Sequence, residues 1–218
     1  MIQAVIFDLD QTLLDRSATF RAFAIKQHQR FSSELNSCDV EQYWAAMNQL
    51  DDNGYKDKRI MFQEVCELLE LSIDPHKLYN DFKQRYGSNP VLFAGVTEML
   101  ETLKGCYQLA VITNGRTKAQ GTKIRVSGLV PYFDEVTISE SVGVKKPSPQ
   151  IFHHCLSRLG ISAENCVYIG DNPKNDVEAA KAVGMKALWI KNPHFDPPTQ
   201  CDGVVESWDD LYSFLKED

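Results

Sequence analysis

Four short stretches, far apart in the chain, concentrate reactive side chains: Asp8-Leu9-Asp10-Gln11-Thr12-Leu13, Thr113-Asn114-Gly115, Lys145-Lys146-Pro147, and Gly170-Asp171 followed by Asp176. Carboxylates gathered at one rim make a site for a hard cation, and Mg²⁺ typically takes only one or two of them while keeping other oxygens. Asp8, Asp171 and Asp176 are the candidates for that site. An aspartate also attacks phosphorus to give an aspartyl-phosphate, a step open to Asp8. Asp10, two residues on, is spaced to donate a proton to a leaving oxygen and later to take one from water. Thr113, nearby backbone N–H groups and Lys146 offer fixed donors and positive charge where transferring oxygens need them. Each stretch also has a plainer reading. Asp8 and Asp10 suit a turn or helix cap and Thr113-Asn114-Gly115 an ordinary loop, Lys146 suits a solvated surface, and Asp176 a carboxylate that offsets a helix dipole.

To act together, these stretches must meet at one edge of a fold. Short apolar runs at Ala4 to Asp8, Leu109 to Thr113, Glu135 to Ser139, Cys166 to Gly170 and Lys186 to Ile190 alternate with helical patterns, which predicts an α/β protein with a parallel sheet. Gly203 to Val205 is a candidate sixth strand at an edge. Four of the runs, in the segments VIF, LAVI, VYI and ALWI, are continuously apolar, as strands covered by helices on both faces should be. Pro149 to Leu159 and Lys174 to Val183 read as crossover helices, the second ending at Gly184. Ligands of such sheets bind beyond the carboxyl ends of the strands, where all four stretches fall.

About 100 residues separate the first two strands, far more than one crossover needs. Apolar residues recur at helical spacing within this interval, among them Phe20, Phe23, Tyr43, Trp44, Met47, Phe62, Cys66, Leu78 and Phe82. Residues 17–89 are therefore expected to form an inserted helical cap, with 1–16 and 90–218 forming a Rossmann-like catalytic core. Tyr43 and Trp44 are read mainly as packing residues of the insert, with stacking on a nucleobase as their alternative. Val96 to Leu103 returns the chain to the sheet.

Asp8-Leu9-Asp10-x-Thr12-Leu13, Thr113-Asn114, Lys146-Pro147 and Gly170-Asp171 with Asp176, in this order and in these strand contexts, resemble the four motifs of the haloacid dehalogenase-like hydrolase superfamily. The resemblance covers nearly the whole chain. It implies a Rossmann-like core, a helical cap inserted after the first strand and Mg²⁺-dependent phosphatase activity. By the same resemblance Asp8 is nucleophile and metal ligand, and Asp10 is acid/base with its backbone carbonyl on the metal. Thr113, Asn114 and Lys146 bind phosphate, Asp171 binds metal, and Asp176 supports the metal site. Lys146 is preferred to Lys145 because it directly precedes Pro147. Gln11 stands where many members have glycine, so the turn after the first strand departs from the pattern.

Composition narrows the partners. The chain of 218 residues carries a net charge of −7, with 43% hydrophobic and 24% charged residues, an ordinary balance for a globular protein. No stretch concentrates Lys and Arg, which argues against a nucleic-acid polymer and for a small-molecule phosphate ester. No apolar run approaches the roughly 20 residues that span a bilayer. Residues Met1 to Phe7 lack the cationic region of a signal sequence. The six cysteines fall at irregular spacings without a C-x-x-C pair, as reduced thiols do, and a cytoplasmic location is the expectation. The leading function is a small-molecule phosphatase working through an aspartyl-phosphate, with nucleoside 5′-monophosphates the first substrate class. The Thr113-Asn114-Gly115, Tyr132-Phe133-Asp134 and Tyr43-Trp44 tracts are similar to those of nucleotide and sugar-phosphate hydrolases. Sugar-phosphate hydrolysis and phosphomutase activity stay open. A haloacid dehalogenase, for which Asp10 has no use, and a non-catalytic phosphate-binding protein rank below them.

Overall fold

Six strands form a wholly parallel sheet: β1 (Ala4–Phe7), β2 (Gln108–Thr113), β3 (Glu135–Ile138), β4 (Cys166–Gly170), β5 (Lys186–Ile190) and β6 (Gly203–Val205). In this computed structural model, which describes residues 1–217, their order is β3-β2-β1-β4-β5-β6. All six expected strands are present, the last at the edge. The order reverses at β1, which pairs with β2 on one side and β4 on the other. Open sheets bind ligands at such a reversal, because the loops leaving the two strands diverge there and open a crevice.

The long interval after β1 opens with four helices, α1 (Arg16–Arg30), α2 (Val40–Leu50), α3 (Lys58–Leu68) and α4 (Pro75–Arg85). Local sequence explains their starts. Asp39 and Gln42 form a reciprocal capping box on α2, Asp57 accepts from the Arg59 N–H, and Asp74 caps α4 just before Pro75. The remaining helices are α5 (Val96–Lys104), α6 (Thr117–Val126), the single turn α7 (Ser139–Val142), α8 (Pro149–Leu159), α9 (Ala179–Ala182) and α10 (Trp208–Glu217).

The chain divides into two compact units, Met1–Asp15 with Pro90–Asp218, and Arg16–Asn89. In the sheet-bearing unit, alternate residues of each strand feed opposite faces. Val5, Phe7, Leu109, Val111, Val167 and Ile169 join Met99 and Leu100 of α5, Ile124 of α6 and Leu211 of α10. Ala4, Ile6, Ala110, Ile112 and Tyr168 join Ile151, Phe152 and Cys155 of α8. Both faces are thus sealed, which accounts for the continuously apolar strand sequences.

The helical unit has its own core, including Phe20, Phe23, Tyr43, Met47, Phe62, Val65 and Leu78. Tyr43 is fully buried there, and its hydroxyl donates to Gln27 at 2.8 Å. It is a packing residue, so the nucleobase-stacking alternative does not hold for it. Arg16 belongs to this unit, one residue earlier than the sequence boundary. It opens α1, and its guanidinium meets Asp51 at 2.6 Å.

One expected element differs. Lys174 to Val183 is not a single α-helix: Pro173–Glu178 forms a π-turn, and only Ala179–Ala182 continues as α9. The wider turn is stabilised at its start by the Asn172 side chain, which accepts from the N–H groups of Lys174 and Asn175 at 3.1 and 2.8 Å.

Candidate active site

Asp8 follows β1 directly, and its N–H still donates to the Ile169 carbonyl of β4 at 2.8 Å. Its side chain therefore emerges where the sheet order reverses. Asp171 follows β4, and its carboxylate accepts from Asn192 Nδ2 at 2.6 Å while its carbonyl accepts from the Trp189 indole at 2.8 Å. The π-turn sends Asp176 back toward the end of β4, with Oδ2 accepting from the Asn172 N–H at 3.0 Å. Gly170 makes that return possible: a Cβ there would lie 2.5 Å from Asp176 Cβ and Cγ. Asp8, Asp171 and Asp176 each offer an oxygen within 4.8 Å of the others, and all three are buried.

Lys146 is the counter-charge. Its ammonium, on a residue 3% exposed, lies 2.6 Å from Asp8 Oδ1 and 2.6 Å from Asp176 Oδ1, and donates to the Tyr168 hydroxyl at 2.9 Å. Lys145, its sequence neighbour, is exposed, so the two lysines are cleanly separated. Asn114 fixes the backbone of Lys146 on both sides, with Oδ1 accepting from the Lys146 N–H at 2.9 Å and Nδ2 donating to its carbonyl at 3.1 Å. Asn114 thus positions Lys146, a place that its reading as a phosphate ligand did not include.

The electrostatics are those of a crowded acidic site. Burial, with Asp176 and Asp171 nearby, pushes the Asp8 carboxyl well above the usual range despite Lys146 beside it. Burial and Asp176 raise Asp171 to about 7, against the opposing effect of the Asn192 hydrogen bond. For Lys146, burial acts to lower the pKa, but Asp176 and Asp8 carry it above the ordinary lysine value. Three carboxylates against one ammonium leave a formal charge of −2. An all-oxygen donor set with that residual charge fits a hard divalent cation in both charge and ligand type.

Asp10 has a separate setting. Lys123 Nζ lies 2.7 and 2.8 Å from its two carboxylate oxygens, and Gln120 Nε2 donates to Oδ2 at 2.9 Å. The same Gln120 amide nitrogen donates to Thr113 Oγ1 at 2.7 Å. Gln11, in the glycine position of the turn, adopts left-handed backbone geometry with φ of 63°. A side chain there costs of the order of 1 kcal/mol, so the turn keeps its shape without the glycine.

The structure therefore brings Asp8, Lys146, Asp171 and Asp176 into one cluster and links Asp10 to Thr113 through Gln120. Gln120, Lys123, Tyr168, Trp189 and Asn192 were not singled out in the sequence. The signal for the first two was faint: two polar residues three apart on the same helix as Ile124, readable as a solvated stripe.

An α/β sheet with acidic residues gathered at its reversal, opposed by one buried lysine, defines a class of hydrolytic and phosphoryl-transfer folds. The chain belongs to the haloacid dehalogenase-like hydrolases, whose family model matches residues 5–190. Among curated relatives, it is 27% identical to glyceraldehyde 3-phosphate phosphatase of Methanocaldococcus jannaschii, covering 99% of this chain and 98% of the relative. It is 26% identical to pyrimidine 5′-nucleotidase YjjG of Escherichia coli, covering 94% and 91%. With N-acylneuraminate-9-phosphatase of Mus musculus it shares 28% over 87% and 82%. Of solved structures, a phosphatase of this superfamily from Thermococcus onnurineus matches with a TM-score of 0.70 at 26% identity, covering 98% of each chain. The hydrolase YfnB of Bacillus subtilis, solved with magnesium bound, has the same fold with a TM-score of 0.81 at 22% identity and 98% coverage of each. Phosphoester hydrolysis, expected from the sequence, is the activity by which these curated relatives are named. No helix among the described residues is long and apolar enough to cross a membrane.

Proposed function

We propose that the protein is a Mg²⁺-dependent phosphatase of small-molecule phosphomonoesters, with Asp8 as nucleophile. The observation that carries this reading is the buried cluster of Asp8, Asp171 and Asp176 around Lys146, with Asp10 two residues beyond Asp8. Asp8, Asp171 and the Asp10 carbonyl would hold Mg²⁺, which supplies positive charge that lets an anionic nucleophile meet an anionic phosphate. Asp176 stands at the same site and, through its hydrogen bond from Lys146, keeps the ammonium in place.

Each residue then has one task. Lys146, Thr113 and adjacent N–H groups bind the transferring oxygens. Asp8 attacks phosphorus, the P–O bond to the leaving alcohol breaks, and Asp10 gives that oxygen its proton. Asp10 next takes a proton from water as the water oxygen attacks phosphorus. The aspartyl P–O bond breaks, releasing inorganic phosphate and restoring the Asp8 carboxylate. We assign the sheet-bearing unit as the catalytic core and the four-helix unit as the cap. Nucleoside 5′-monophosphates are the substrate class favoured here, supported by the nucleotidase relative that aligns over most of the chain. Six unpaired cysteines accord with a reducing, cytoplasmic setting.

The test is phosphate release from nucleoside monophosphates, sugar phosphates and p-nitrophenyl phosphate, with and without Mg²⁺. Release is expected only with the metal, and Asp8→Asn should lower it by at least about 10³-fold while circular dichroism stays unchanged. Full turnover by Asp8→Asn refutes the assignment. Conversion of a sugar phosphate to its isomer without phosphate release would instead identify a phosphomutase.

A further inference from the structure

Lys123 is 3% exposed, and a buried lysine persists only with a partner. Its partner is Asp10, 113 residues away in sequence, met by both carboxylate oxygens at 2.7 and 2.8 Å. One turn earlier on α6, Gln120 is equally buried and bridges Asp10 Oδ2 to Thr113 Oγ1. The space for Gln120 comes from Gly115, whose φ is 146° and where a Cβ would approach Gln120 Cγ to 2.9 Å. Residues three apart on a helix share a face, so α6 presents an ammonium and an amide together to one carboxylate.

This arrangement answers a mechanical problem. Asp10 sits on a turn beyond the strand, next to a residue in left-handed conformation, and contacts from α6 reach both of its carboxylate oxygens. A group that transfers a proton must be held to a fraction of an ångström, and misplacement costs rate far more than binding. We propose that Lys123 and Gln120 are positioning residues for proton transfer by Asp10, with Gln120 also tying that carboxylate to the phosphate-binding Thr113. The inference rests on the proposed acid role of Asp10 and assigns to α6 a part in the reaction that the four motifs do not contain. Neither residue needs to touch substrate.

Leaving-group dependence separates positioning from mere structural support. A p-nitrophenolate leaves readily without a proton, whereas the oxygen of ribose 5-phosphate needs one in the transition state. Since kcat/KM reports steps up to the first bond cleavage, Lys123→Met should lower it about 10–100-fold for ribose 5-phosphate and much less for p-nitrophenyl phosphate. Gln120→Ala should shift the ratio in the same direction by less. Lys123→Arg, which can still grip both oxygens, should recover part of the lost ratio. Asp10→Asn is the reference and should show the largest shift. Equal losses on both esters in the Lys123 and Gln120 variants, with Asp10→Asn still selective, overturn the positioning role alone. If Asp10→Asn itself hydrolyses the two esters with the wild-type ratio, the acid role falls and the positioning role with it. Should Lys123→Met fail to fold, Gln120→Ala carries the comparison, since it removes no charge.

Discussion

Asp171 shows how a single carboxylate can weaken a fold for the sake of a site. Its pKa is raised to about 7 by burial and by Asp176, against an ordinary value of 3.8. The folded, metal-free protein therefore holds a proton that the unfolded chain releases, so folding stability from this group falls as pH rises from about 4 to about 7. Asp8 shifts in the same direction. Asn at position 171 keeps an oxygen for the Asn192 amide but removes the charge. Asp171→Asn should thus raise metal-free stability at pH 8 by about 0.5–2 kcal/mol and flatten its pH dependence between 5 and 8. Stabilisation by added Mg²⁺ should disappear in the same variant. Thermal melts in EDTA and in Mg²⁺ at both pH values check this, and a less stable metal-free variant would count against it. The single residues that share this site were unequally legible. Asp8, Asp171 and Lys146 stand in dense motifs, whereas Lys123 looks like any helix-surface lysine until its distant partner is known.

The π-turn after β4 is where local sequence and tertiary demand part company. Asn172 caps the segment and Pro173 opens it, but the aspartate at 176 must reach back to the strand end, and a wider turn achieves this at the cost of regular helix bonding. Periodicity predicted the helix and could not reveal the wider turn, because Asp176 is held by Lys146, 30 residues away, and by Tyr168 on β4. The central strands β1, β2 and β4, by contrast, were readable almost to the residue, since burial on both faces dictates continuous apolar runs. Gly170 marks the meeting of the two effects. Gly170→Ala would drive a methyl into Asp176, and backbone on one side with a buried ion pair on the other leaves little room to yield. We expect a loss of about 1–3 kcal/mol in stability together with a fall in kcat, as Lys146 loses its anchor. Denaturant unfolding and steady-state kinetics test both; a variant as stable and as active as wild type would show that the turn is slack.

Across the whole molecule, the six cysteines sample the two units separately. Cys38 and Cys66 lie in the helical unit's core, Cys155 and Cys166 are buried in the sheet-bearing unit, and Cys106 and Cys201 are exposed. Burial pushes the Cys66 thiol up to about 11 and those of Cys155 and Cys166 up to about 12, and it raises Cys38 as well, with Asp39 adding to the effect. Thiolate is the reactive form, so at pH 8 a thiol of pKa near 12 is ionised to only about one part in ten thousand, quite apart from its inaccessibility. A disulfide reagent should therefore titrate two thiols in the native protein at once, and the other four only as their unit unfolds. With mass spectrometry to locate the label, protection of Cys38 and Cys66 reports the stability of the insert, and that of Cys155 and Cys166 reports the sheet. Asp81 supplies a selective perturbation, because its buried carboxylate ties Gln27, Arg30 and Arg85 within the helical unit. Asp81→Ala removes the carboxylate that pairs with the partly exposed Arg30 and should cost that unit about 1–2 kcal/mol. Cys38 and Cys66 should then become labelled at lower denaturant than in wild type, while Cys155 and Cys166 keep their wild-type midpoint. All four thiols shifting together would mean that the insert and the sheet unfold as one cooperative body.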